Sequence, residues 1–81
     1  MLVVGEERFQ VNMLDMGLCG MRILAPRALE QGREVVMEIA EKYGIEAYRC
    51  RVIFCRHGER GWQVGLEIVE QNDQLLVIDI P

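Results

Sequence analysis

No stretch of this chain approaches the roughly 20 consecutive apolar residues that a membrane span needs. The opening, MLVVGEERFQ, lacks the basic start and long apolar core of a secretory signal. No membrane insertion is expected, and the cytoplasm is the expected compartment. Cations are also scarce. Nine Lys and Arg stand against 13 Asp and Glu, for a net charge of -4. A broad DNA or RNA surface needs an excess of positive charge, so neither is an expected partner. A small anionic ligand remains open, because two or three local cations suffice for it.

Catalytic and metal signatures are missing too. There is no G-x-S-x-G elbow, no P-loop and no Cys-His nucleophile pairing. Asp15 has no second carboxylate at a motif spacing. An enzyme is therefore not expected. The three cysteines, an odd number, fit free thiols in a reducing compartment. Cys50 and Cys55 lack zinc-site spacing, and five residues along a strand places them on opposite faces. His57 beside a hairpin glycine reads as a solvated turn residue. No metal or cofactor is expected.

What the chain does have is alternation. At 81 residues it makes a single domain over 1–81 with a modest core. In YRCRVIFCR, Tyr48, Cys50, Val52 and Phe54 share one face. In WQVGLEIV, Trp62, Val64, Leu66 and Ile68 do the same. Both segments read as half-buried strands, and HGERG between them supplies a hairpin connection. RFQVNML and GMRILA read as two further strands. APRALEQG reads as a single helical turn or a loop, with Pro26 at its start and Gly32 as a stop. REVVMEIAEKYG suits either a strand through Val35, Met37 and Ile39 or a helix capped at Gly44; the strand is preferred because it continues the sheet. In the tail, NDQLLVIDIP, a short helix capped by Asn72 or Asp73 is preferred over a strand. Five or six antiparallel strands with this apolar content call for a covered inner face, which rolling into a small barrel supplies.

The stretch LDMGLCGMRIL then raises a specific question, because one acid and two glycines interrupt an apolar run. Gly17 and Gly20 fall in the connection between strands. There they permit positive φ or close approach by a backbone or a ligand. Asp15 at the strand end can accept hydrogen bonds from backbone N–H groups of the turn. It can equally accept them from the two-donor edge of a guanine base. Spacing alone supports an ordinary structural turn.

VNMLDMGLCGMRI resembles the second signature of PilZ domains: Asp or Asn, any residue, Ser, two residues, then Gly, between apolar strands. PRALEQGREVVMEI is similar to the loop and strand that follow in that family, and CRVIFCRHGERGWQVGLEIVE to its closing hairpin. The resemblance spans Phe9 to Glu70. It implies an all-β fold: a small antiparallel barrel of six (or five) strands, with a short helical turn or C-terminal helix. It also implies a bacterial, cytoplasmic, nucleotide-binding module of cyclic di-GMP signalling. In such modules two arginines four residues apart grip the guanine and phosphates, and the signature's Asp and Ser contact guanine.

Carried over residue by residue, Asp15 matches the acidic position and Gly20 the glycine. Gly17 stands where the family has Ser, so a hydroxyl is missing. The arginine pair is absent: Arg8 has Val4 four residues before it and Asn12 four after it. Only 14 residues precede Asp15, fewer than the family uses for its arginine segment and first strand. A hydrogen bond to a charged group contributes about 1.5–3 kcal/mol and a cation over an aromatic face about 0.5–2 kcal/mol. Losing two arginines therefore removes about three or four powers of ten in affinity. The expectation is a degenerate module that binds cyclic di-GMP weakly or not at all and acts through a protein partner in a signalling or motility pathway. An unpaired strand edge near the N-terminus would also favour a homodimer. The alternative is a working receptor that uses Asp15, Gly20 and nearby arginines, with Arg8, Arg22 and Arg27 as candidates.

Overall fold

The computed structural model describes residues 1–72, and every regular element within them is a strand. These are β1 (Leu2–Val4), β2 (Glu7–Phe9), β3 (Asn12–Met16), β4 (Gly20–Ala25), β5 (Glu34–Glu41), β6 (Gly44–Gly58) and β7 (Gly61–Asn72). All pair antiparallel in one sheet of order β2-β1-β5-β6-β7-β4-β3. The fold is thus the all-β, barrel-like one expected. The preferred C-terminal helix lies outside the described residues. Of the two readings of APRALEQG, a helical turn or a loop, the structure has the loop, a bend and turn closed by a hydrogen bond from the Arg33 N–H to the Glu30 carbonyl at 3.1 Å.

The two longest strands, β6 and β7, sit at the centre, joined through Glu59 and Arg60 with Gly58 opposite Gly61. Their alternation follows the sequence over most of its length. Tyr48, Cys50 and Val52 are buried, whereas Arg49 and Arg51 are exposed. REVVMEIAEKYG resolves as strand β5, with Val35 and Met37 buried. Leu2, Ile23, Cys50, Val52, Val64 and Leu66 are the most deeply buried side chains among the described residues, drawn from four strands around one core. Fully burying such aliphatic groups contributes about 1.5–3 kcal/mol each.

RFQVNML does not form one regular strand. Its first part pairs with β1 and its second with β4, at opposite ends of the strand order. Only Gln10 and Val11 separate the two parts. A link this short spans about 11 Å at most, so the sheet must curl until its ends adjoin. Side chains stitch that seam. Arg27, just past β4, pairs with Glu7 at 2.7 Å, and its guanidinium carbon lies 5.1 Å from the centre of the Phe9 ring.

A second departure lies in β6. Val52 faces Leu66 but Phe54 faces Gly65, leaving Ile53 as an extra residue in a β-bulge. Every side chain after it changes face. Phe54, expected beside Cys50 in the core, instead lies on the outer face over Gly65. A β-carbon on Gly65 would stand only 2.2 Å from the Phe54 ring. Cys55, expected opposite Cys50, turns inward, packs against the core and accepts a 3.4 Å contact from the Leu29 N–H. His57 is exposed as expected, but it sits at the end of β6 rather than in the turn, opposite Trp62 with ring centroids 4.5 Å apart.

Candidate functional site

The β3–β4 hairpin carries the acid-and-glycine signature. The Gly17 N–H donates to the Gly20 carbonyl at 2.8 Å, which sets Met16 opposite Met21 and Asp15 opposite Arg22. Leu14 is an extra residue, so Asp15 projects from the outer face, away from the core. The two glycines differ in what they do. A β-carbon on Gly20 would meet the Leu66 carbonyl oxygen at 2.5 Å, so the glycine lets β4 lie against β7. Next to it, the Ile68 N–H donates to the Cys19 carbonyl at 2.9 Å and ties the turn to β7. Gly17 has nothing within 4 Å of where its β-carbon would be.

Asp15 does not accept from turn amides as expected. Its Oδ2 accepts from Arg22, through Nε at 2.8 Å and also through Nη2. That hydrogen bond, ahead of the guanidinium's charge, holds the Asp15 carboxyl below the ordinary carboxylate range; Asp15 in turn raises Arg22. Both side chains are about half exposed, so the pair is open to solvent and salt.

The other candidate cations are engaged too. Arg8, on β2, pairs with Glu38 on β5, and Arg27 pairs with Glu7. The fold therefore gathers Asp15, Gly17, Gly20 and Arg22 in one hairpin, whereas Arg8 is directed across β1 to β5. Each of Arg8, Arg22 and Arg27 already holds a carboxylate.

One polar cluster was not legible beforehand. At the far end of β5 and β6, Glu46 Oε2 accepts from the Tyr48 hydroxyl at 2.6 Å and from the Gln71 amide at 2.7 Å. Glu41 shares a hydrogen bond with Glu46, which raises the Glu41 carboxyl; the Tyr48 hydroxyl is the main cause lowering Glu46. The MEIAEK stretch reads in the sequence as a solvated edge, and only the pairing of β5 with β6 brings these residues together. Among the described residues no group of three or more His, Cys, Asp or Glu is arranged to hold a metal ion.

The family model for the PilZ domain matches residues 1–78. No curated protein and no solved structure matches the chain.

Proposed function

The chain belongs to the PilZ domain family, a binding and adaptor family of cyclic di-GMP signalling rather than a catalytic one, and we propose that it serves such signalling through a protein partner, with little grip of its own on the nucleotide. The observation that carries this reading is the Arg22–Asp15 pair. The carboxylate oxygen that would receive guanine donors already accepts two hydrogen bonds from Arg22. The absent arginine pair, Gly17 in place of the family's Ser, and the engagement of Arg8 and Arg27 with Glu38 and Glu7 support the same reading. A ligand must part an ion pair before it can meet the acid, and the candidate cations Arg8 and Arg27 already hold carboxylates. Among the described residues no helix is long and apolar enough to cross a membrane, and the cytoplasm is the proposed setting.

Calorimetric titration with cyclic di-GMP tests the proposal. Its expected result is no saturable heat at ligand concentrations up to about 10 µM. Sub-micromolar binding that Asp15→Ala abolishes would overturn it in favour of a receptor built on Asp15 and Gly20.

A further inference from the structure

The β6–β7 turn rests against the end of β4. Gly61 makes this contact possible: its φ is +131°, and a β-carbon there would stand 2.8 Å from the Ala25 carbonyl oxygen. Arg60, next to it in the turn, is thereby brought to the link between β2 and β3. A cavity of about 220 Å³ opens among these three elements. Gln10, Val11 and Asn12 line it from the link, Leu24 and Pro26 from the end of β4, and Arg60 from the turn. Every lining residue lies between positions 10 and 60, so the interior of the chain forms the cavity, not its ends. β7 leads away from it, from Gly61 to Asn72, over about 36 Å of strand. The nine residues that follow span about 32 Å at most.

Charge and apolar surface define what fits. Arg8, Arg22, Arg27, Arg49 and Arg51 all hold carboxylates, and Arg56 lies over the Phe54 ring. Arg60 has neither kind of partner among the described residues. The side-chain amides of Gln10 and Asn12 are likewise unpaired there. No Asp or Glu lines the cavity, and Leu24 and Pro26 give it an apolar side. One guanidinium balances one negative charge, and its planar fork matches a carboxylate. A phosphate monoester carries nearly two charges and calls for more than one cation. A chain terminus sets its carboxylate and its last side chain on the same carbon, so a single residue meets Arg60 and the apolar side together. A glutamate side chain brings the charge without the apolar group. We propose that this cavity takes the C-terminal carboxylate of a partner protein that ends in a small apolar residue. Gln10 and Asn12 donate to the peptide behind that carboxylate. This inference rests on the protein-partner reading above and names the part of the partner that is held.

An NMR titration of the full chain with acetyl-Gly-Ser-Val, its carboxylate free, tests it. The signals followed are the Arg60 Nε–H and the side-chain amides of Gln10 and Asn12. Half-saturation is expected at about 1 mM, with the C-terminal amide of the same peptide at least about tenfold weaker. In Arg60→Gln, an exposed turn position, the half-saturation rises roughly fivefold. No saturable shift up to about 10 mM overturns the inference. Equal binding by the amide or by acetate overturns it too, since the first lacks the terminal charge and the second lacks the peptide. So does equal binding by acetyl-Gly-Glu-Ser-amide, which carries its carboxylate on a side chain. An Arg60 Nε–H already bonded to a carboxylate in the free protein also overturns it, whether that carboxylate is the chain's own or a second copy's, the latter marked by a doubled mass in light scattering. Failure of the partner reading leaves a different record, sub-micromolar binding of cyclic di-GMP at the Asp15 corner, so each idea can fail without the other.

Discussion

Gly20 and Asp15 stand five residues apart in one signature, and the structure gives them separate physical reasons. For Gly20 the reason is backbone: the Leu66 carbonyl oxygen fills the place of a β-carbon at 2.5 Å. Gly20→Ala is therefore expected to destabilise the fold by about 1–3 kcal/mol, as read by urea denaturation, with or without ligand. For Asp15 the reason is Arg22. Its carboxyl should titrate below the ordinary 3.8, and Arg22→Gln should return it to the ordinary range, as followed by NMR of the side-chain carboxyl. Because the folded value is depressed, the pair's contribution to stability is present above pH 3.8 and lost as pH falls through the folded value. Asp15→Asn should remove that part of the acid limb. The pairing was within reach of the sequence. With the turn placed at residues 17–20, antiparallel register alone sets Asp15 opposite Arg22. What a sequence does not reveal is that the arginine reaches for the acid rather than for solvent.

At the scale of elements, alternation found the β6–β7 hairpin because one face of it is buried along most of its length. It failed after Val52 for a definite reason. A single extra residue, Ile53, shifts the phase of a period-two pattern, and a reading of faces cannot detect the insertion from within one strand. Gly65 was the available signal: a glycine inside an apolar strand marks a close approach, here by the Phe54 ring. Phe54→Ala would uncover Gly65 and forfeit that packing. The expected loss is about 1–3 kcal/mol in thermal or urea unfolding. The same limit explains RFQVNML, whose alternation runs through Gln10 and Val11 and gives no hint that the pairing partner changes there.

For the whole molecule, the curl of the sheet decides what the signature can do. It sends Arg8 towards Glu38 on β5 and brings Arg27 back to Glu7, so the cations near the hairpin serve the seam and the wall. Family resemblance could reveal the barrel and the acid, since both follow from local sequence. It could not reveal that these ion pairs form, because they join residues 20 and 30 positions apart. The PilZ corner here closes on itself through the Arg22–Asp15 pair, which is the ground for proposing that the module works through another protein. The most direct test is an NMR titration with cyclic di-GMP that follows the Arg22 Nε–H and the amides of residues 15–20. At ligand concentrations of about 10 µM the account predicts unmoved signals, with the Arg22 Nε–H still bonded to Asp15. Saturating shifts of these signals at sub-micromolar ligand, with the Arg22–Asp15 bond broken, would contradict it.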